Sequence, residues 1–239
     1  MLNFKTTLLF LTLFLALTTN GCLRDYTIVT ESQNSEINRK YAQKPFYLTS
    51  SQYFGEFWGD KRYEYLTPYV PESLTYLSSI TGKNIPPPPH KGIIPAGTPL
   101  RIERIEFPTA EVFNSRALVT PRYYPWVYCV VSMPERAVKG LIVIPAGIEE
   151  PLESIERKLL TIISEEDPRP KISALSEEEQ EAIKTKIPYL GMSIEAAGFA
   201  LGPAPEIEAD YEGEKAEEIW KFYDGKTYSF DKGKLIKIE

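Results

Sequence analysis

Residues 219–230 read IWKFYDGKTYSF, and this stretch decides how the C-terminal part of the chain folds. On both sides of Asp224-Gly225, large apolar residues recur with the period of two that is typical of a β-strand, at Trp220 and Phe222 and at Tyr228 and Phe230. An Asp-Gly pair is typical of a two-residue hairpin turn, in which both turn residues take positive φ. The sequence Asp-Lys-Gly at residues 231–233 turns the chain again, into an apolar strand at residues 235–238. We therefore predict a three-stranded antiparallel meander.

Two short helices are predicted ahead of this meander. Ser176 and Glu179 form a capping-box sequence, and Pro188 stops the helix that they open. Ser193 begins a second helix, which Gly202-Pro203 ends by supplying a residue with positive φ and then a helix breaker. Residues 172–239 are therefore predicted to form a two-helix, three-stranded (ααβββ) module in a chain of the α+β class.

Several motifs of this module resemble the BamE (SmpA/OmlA) group of small outer-membrane lipoproteins. They are Gly191-Met192-Ser193, Glu195, Leu201-Gly202-Pro203, the aromatic strand at Trp220 and Phe230-x-x-Gly233-x-Leu235. The match covers residues 176–239 only, and Ala197 and Gly198 replace bulkier apolar residues that are usual in that family.

The resemblance implies an envelope location and binding of protein partners through the loop before the second helix and the strand at Trp220. The implied partner-binding residues are Tyr189, Leu190, Gly191, Met192 and Trp220. Each also has an ordinary structural explanation: backbone geometry explains Gly191, and packing explains Met192.

The N-terminus has the features of a bacterial leader. Lys5 is followed by a ten-residue, largely apolar region at positions 8–17, which is too short to span a bilayer. Thr19-Asn20-Gly21-Cys22 resembles a lipobox, which implies cleavage after residue 21 and acylation of Cys22, with palmitate among the acyl groups. Leu23 is not aspartate, which in such lipoproteins indicates an outer-membrane protein that faces the periplasm. Ordinary secretion without a lipid is the alternative.

Residues 22–44 are polar and are predicted to form a flexible tether. Residues 45–164 are predicted to form a β-rich domain that ends in an amphipathic helix. This helix begins near Pro151, and residues 165–171, with two prolines, break it. The apolar positions along the helix are Leu152, Ile155, Leu159, Ile162 and Ile163.

Strands of the β-rich domain are predicted at residues 100–107, 126–133 and 141–144. The apolar positions switch strand face between Ile102 and Ile105, which predicts a bulge near Glu103. A Pro-Ala-Gly-Thr turn before this bent strand is similar to the opening of a bacterial SH3-like barrel. The four prolines at 86–89 must be extended.

Aromatic residues are dense at positions 53–58 and 63–65. Two interpretations stay open. A small β-domain needs large side chains for its core, and we favour that interpretation. Alternatively, the rings form a stacking surface for a glycan or a partner protein.

Composition excludes some classes of function. The chain has 27 basic and 33 acidic residues, so clustered positive charge for nucleic acid is not expected. If Cys22 is acylated, Cys129 has no disulfide partner, and its apolar neighbours indicate a buried thiol. With His90 as the only histidine, the sequence supports no metal site, no cofactor and no catalytic residue.

Two functions follow from the sequence. The first is a non-enzymatic, membrane-anchored scaffold that binds envelope proteins, in outer-membrane assembly or maintenance. The second is a lipoprotein that binds peptidoglycan or another glycan through the aromatic SH3-like region.

Overall fold

The structure, a computed structural model, describes residues 29–147, 150–210 and 217–239. The leader and Cys22 lie outside the described residues. The described chain has mixed helix and sheet structure, with a curled eight-stranded sheet, a four-stranded sheet and six α-helices. This confirms the predicted combination of helices with largely antiparallel strands. No helix in the described ranges is long and apolar enough to cross a membrane.

The helices are α1 (Glu31–Tyr41), α2 (Ala110–Ser115), α3 (Leu152–Leu160), α4 (Arg169–Ser173), α5 (Glu177–Thr185) and α6 (Ile194–Leu201). The strands of the first sheet are β1 (Pro45–Leu48), β2 (Gln52–Phe57), β3 (Asp60–Thr67), β4 (Gly92–Ile94), β5 (Pro99–Glu106), β6 (Trp126–Ser132), β7 (Ala137–Val143) and β8 (Ile163–Ser164). Those of the second sheet are β9 (Glu206–Asp210), β10 (Glu217–Lys221), β11 (Thr227–Asp231) and β12 (Lys234–Ile238).

The first sheet has the strand order β4-β2-β3-β7-β6-β5-β1-β8. Its neighbouring strands are antiparallel except for β3 and β7, which are parallel. The predicted bulge in β5 is confirmed, since the register with β6 shifts between Ile102 and Arg104. The extra residue keeps Leu100, Ile102 and Ile105 buried although their spacing does not fit a regular strand.

Strand β6 shows how this sheet is covered on both faces. Val127, Cys129 and Val131 point into an aliphatic core, while Trp126 and Tyr128 alternate with them and point into an aromatic core. The dense aromatic residues at 53–65 divide in the same way, because Phe57, Trp58 and Tyr65 are buried in the aromatic core and Phe54 lies in the aliphatic one. The core interpretation of these four residues is confirmed.

The amphipathic helix is also confirmed, as α3, with Pro151 as its N-cap and Ile155 and Leu159 buried. The helix ends before Ile162 and Ile163, which had been expected on its apolar face. Ile163 instead lies in β8 and pairs with Leu48. Both isoleucines still pack into the aliphatic core.

The predicted flexible tether is wrong for residues 31–41, which form helix α1. Thr30 and Gln33 make a reciprocal capping box at its start, and Ile37 and Tyr41 are buried in the aliphatic core. Asn38 joins the helix to the bulged strand: its Nδ2 donates to the Ile105 carbonyl at 2.8 Å, and its Oδ1 accepts from the Ile105 N–H at 2.8 Å. The prediction failed because most residues of this segment are polar, while only a few apolar side chains, Ile37 and Tyr41, are buried and fix the helix in place.

The predicted three-stranded meander has a fourth strand. The order of the second sheet is β12-β11-β10-β9, and β9 pairs with β10 so that Ile207 lies opposite Trp220. The two-residue turn is also wrong. The Phe222 N–H donates to the Lys226 carbonyl and the Gly225 N–H to the Phe222 carbonyl, which gives a three-residue loop with positive φ at Gly225 only.

The predicted caps of the two C-terminal helices are confirmed. Ser176 and Glu179 make the capping box of α5, and the Ser193 hydroxyl accepts from the Ala196 N–H at the start of α6. Gly202 ends α6 with a φ of 89°. Helix α5 ends at Thr185, before Pro188, because Lys186 takes a left-handed conformation with a φ of 55°.

We expect Asn38→Ala to lower the free energy of unfolding by about 1–3 kcal/mol, because it leaves both polar groups of the Ile105 backbone without a partner. Urea unfolding of the full chain measures this change. Glu36→Gln, on the exposed side of the same helix, is the control and should stay within about 0.5 kcal/mol of the unchanged chain. Equal stabilities of the two variants would contradict the packing of α1 on β5.

Candidate functional site

A buried polar junction joins the first sheet to the two C-terminal helices, and Ser51 lies at its centre. The Ser51 hydroxyl donates to the Ile183 carbonyl at 2.5 Å and accepts from the Ala96 N–H at 3.0 Å. The Ser51 N–H donates to the Phe199 carbonyl at 2.8 Å. One serine between β1 and β2 therefore bonds to α5, to α6 and to the turn before β5.

Lys186 is the second member of this junction. Its side chain is buried, and Nζ donates to the carbonyl oxygens of Ser51 at 2.7 Å and Ala200 at 2.5 Å, with Leu201 further away at 3.4 Å. Nζ also lies 5.1 Å from the centre of the Tyr53 ring. Burial lowers the pKa of Lys186 to about 7. A group with a pKa near 7 is present in both its charged and its neutral form at neutral pH.

A cleft lined by tyrosines opens beside this junction, between the segment that follows β3 and the tip of the β10–β11 hairpin. Three adjoining pockets of about 160, 170 and 120 Å³ form it. Tyr223 lines all three pockets, Tyr69 lines the first two, and Tyr76 lines the second and third. We call this surface the tyrosine cleft.

The rings of the tyrosine cleft hold one another in place. Tyr69 meets Tyr223 edge to face with ring centres 4.9 Å apart, and Tyr76 meets Tyr124 at 5.8 Å. Tyr223 is nevertheless 58% exposed, so part of its ring is open to a ligand. The cleft is therefore a pre-formed aromatic surface that needs little reorganisation to bind.

The polar groups of the cleft are mainly hydroxyls that have no partner within the described residues. No hydrogen bond in those ranges involves the Tyr69, Tyr76 or Tyr223 hydroxyl. Burial raises the pKa of Tyr69 and of Tyr76 above the usual range, so these two hydroxyls stay protonated and can donate.

The charged groups of the cleft are already paired. Lys226 lies 3.6 Å from Asp224, and Lys158 lies 2.7 Å from Glu150. With these pairs and a Lys186 whose pKa burial lowers, the cleft offers donors and aromatic faces without a strong net charge.

The residues implied by the family resemblance do not form one surface. Leu190 is 63% exposed and Gly191 is exposed, with Tyr189 half-buried beside them. Met192 and Trp220 are buried in the core between the second sheet and its helices. The loop is fixed on β12, because the Gly191 N–H donates to the Leu235 carbonyl and the Leu235 N–H to the Met192 carbonyl.

Two other residues singled out from the sequence are placed away from any reactive arrangement. Cys129 is buried in the aliphatic core, and desolvation raises the pKa of its thiol to about 12, so the prediction of a buried thiol is confirmed. His90 is exposed, with its ring 4.9 Å from that of Tyr53. Among the described residues, no three His, Cys, Asp or Glu side chains are grouped so that they could hold a metal ion.

Sequence reasoning missed the tyrosine cleft and Lys186. The dense aromatic residues at 53–65 were the predicted candidates for a stacking surface, and most of them lie in the cores. Tyr69, Tyr76 and Tyr223 are instead spread along the chain. The excess of tyrosine, 15 in all, was the only sequence signal that could have indicated them.

Comparison with protein-family models, with curated proteins and with solved structures finds no match to this chain.

We expect Lys186→Met to lower the free energy of unfolding at pH 7 by about 1–3 kcal/mol, because the carbonyls of Ser51 and Ala200 lose their donor. Lys184→Met, on the exposed side of α5, is the matched control and should change it by less than about 0.5 kcal/mol. Urea unfolding measures both.

The same variant tests the titration of Lys186. Because its pKa is near 7 in the folded chain and near 10.5 when unfolded, the unfolded chain binds more protons between these values. The stability of the unchanged chain should therefore rise with pH relative to Lys186→Met, by up to about 1.4 kcal/mol per pH unit between pH 7 and 9. Contributions from Cys129 are common to both chains and cancel. A stability difference that does not change with pH would show that Lys186 keeps its charge when buried.

Proposed function

We propose that this chain is a lipid-anchored lipoprotein of the outer membrane, facing the periplasm, that binds envelope proteins as a non-enzymatic scaffold. The observation that carries the proposal is the tyrosine cleft. Tyrosine is enriched at protein interfaces because it combines a large apolar ring with a hydroxyl that can donate. A cleft between two rigid sheets is also a common position for a binding site.

The lipobox-like sequence and the family resemblance support the proposed location. The lipobox-like sequence at Cys22 would attach the chain to a membrane surface, and the motifs of residues 176–239 are similar to those of BamE-type lipoproteins. Two capped helices followed by antiparallel strands are compatible with that similarity, while β9 extends the predicted ααβββ pattern. The SH3-like course of part of the first sheet stays a prediction.

The exposed loop beside Leu190 is a second contact region in this proposal. Leu190 and Ile187 are 63% and 67% exposed, and Ile187 also lines the first pocket of the tyrosine cleft. These two apolar side chains extend the aromatic surface of the cleft toward the loop at Leu190, where the family resemblance implies that a partner binds. A partner could therefore cover the cleft and the loop together.

One observation favours the second candidate, a lipoprotein that binds peptidoglycan or another glycan. The exposed ring of Tyr223 could stack on a sugar. The stacking surface is then the tyrosine cleft and not the run at 53–65, in which four of the aromatic residues are buried in the cores.

Site-specific photocrosslinking in the cell of origin tests the proposed function. A photoreactive phenylalanine replaces Tyr223 in the full-length chain, and the control places it at Ile80, which is fully exposed and lies outside the cleft. We expect protein adducts from position 223 that are absent from position 80 and that decrease in a Cys22→Ala background. Adducts with cell-wall material alone would favour the second candidate, and no adduct specific to position 223 would contradict both.

A further inference from the structure

The molecule already binds one proline-rich segment, which is its own. Residues 86–89 are four consecutive prolines and lie beside β2 and β3. The Trp58 Nε1 donates to the Ile85 carbonyl at 3.1 Å, and the Tyr65 hydroxyl donates to the Pro88 carbonyl at 3.1 Å. Two aromatic side chains thus donate to carbonyls of this segment, one at Ile85 just before the run and one at Pro88 within it.

This arrangement follows from the chemistry of proline. A proline residue has no N–H to donate, so a proline-rich segment offers carbonyl acceptors and rigid apolar rings. Its polyproline II conformation is formed before binding, so little conformational entropy is lost on binding. A complementary surface needs aromatic rings with donors at their edges, and it needs no charge.

The tyrosine cleft has the same chemistry with its donors unused. The hydroxyls of Tyr69 and Tyr76 have no partner among the described residues. They stay protonated because burial raises the pKa of both. Adjoining pockets of about 120–170 Å³ that share tyrosines in their walls suit a ligand that places one compact side chain in each. We propose that the tyrosine cleft binds an extended, proline-rich segment of a partner protein, with the tyrosine hydroxyls donating to its carbonyls.

The polar groups of the cleft favour such a peptide over a glycan. Carboxylate, amide and guanidinium side chains can each engage two neighbouring sugar hydroxyls at once, whereas a phenol hydroxyl offers one donor. No Asn, Gln or Arg side chain lines the three pockets, and their carboxylate, Asp224, is paired with Lys226. Most of the hydroxyls without a partner in the described residues are phenols, which suit isolated carbonyl acceptors.

This inference rests on the proposed function, because it names the chemistry of the partner at the same site. It is tested with purified full-length protein in detergent and a fluorescent peptide of five Ala-Pro repeats, which spans about 31 Å as polyproline II. A Gly-Ser peptide of equal length and a tetramer of N-acetylglucosamine are the comparison ligands. Binding is followed by fluorescence anisotropy, with the sugar as an unlabelled competitor and in calorimetry.

Three substitutions define the site. We expect Tyr69→Phe and Tyr76→Phe, which keep the ring and remove only the hydroxyl, each to weaken binding of the Ala-Pro peptide about fivefold. Tyr223→Ala should weaken it about tenfold or more, because it removes a ring that lines all three pockets. Tyr123→Phe and Tyr123→Ala are the controls, since Tyr123 packs on Phe113 outside the cleft, and neither should change binding.

Several results would overturn the inference. They are the absence of Ala-Pro binding, equal binding of the Gly-Ser peptide, and binding that the phenylalanine variants leave unchanged. Tyr223-dependent binding of the sugar without the peptide would replace the proline ligand with a glycan. Protein adducts at position 223 in the cell, combined with no Ala-Pro binding, would leave the proposed scaffold function standing and reject only the proline chemistry.

Discussion

The arrangement of the two sheets depends on the buried hydrogen bonds of Ser51 and Lys186. Within the described residues the two sheets share no strand pairing, and the Ser51 backbone at the β1–β2 corner bonds to α6. Ser51 donates to the carbonyls of Ile183 and Phe199, through its hydroxyl and its N–H. Lys186 Nζ donates to the carbonyls of Ser51 and Ala200. A buried polar group without a partner is costly, so these bonds restrict how the helices can sit on the first sheet.

This restriction also positions the tyrosine cleft. Lys186 lines the first pocket and lies at the end of α5, while Gly202, at the end of α6, leaves no space for a side chain beside Pro68. A Cβ on Gly202 would lie 2.6 Å from the Pro68 Cβ and 3.0 Å from the Ser50 Oγ. The close approach at Pro68 brings the next residue, Tyr69, within reach of the hairpin tip that carries Tyr223. The cleft is thus a consequence of how the two parts of the chain pack together.

The two faces of the first sheet are filled by different kinds of side chain, and Tyr69, Tyr76 and Tyr223 are not among the buried residues of either core. One face of the sheet is covered by α1 and α3 through an aliphatic core, and the other is filled by rings that include Phe57, Trp58 and Trp126. Tyr65 contributes to that aromatic core and also donates to the proline run at 86–89. At the tyrosine cleft the hydroxyls of Tyr69 and Tyr76 have no partner within the described residues, although the rings are partly buried.

The sequence by itself determined the features that depend on neighbouring residues. Local backbone preferences and apolar spacing predict four features that the structure has: the capping box at Ser176, the cap at Ser193, the end of α6 at Gly202 and the bulge in β5.

Tertiary packing decided the other features. Helix α1 forms because Ile37, Tyr41 and Asn38 find partners on a distant strand, and the hairpin loop takes three residues where Asp-Gly alone predicted two. The cleft joins Tyr69, Tyr76 and Tyr223, which are up to 154 positions apart, and the pKa of Lys186 depends on burial among atoms from three segments. Local sequence patterns carry no information about such contacts, since only the packed chain brings these atoms together and removes water from between them.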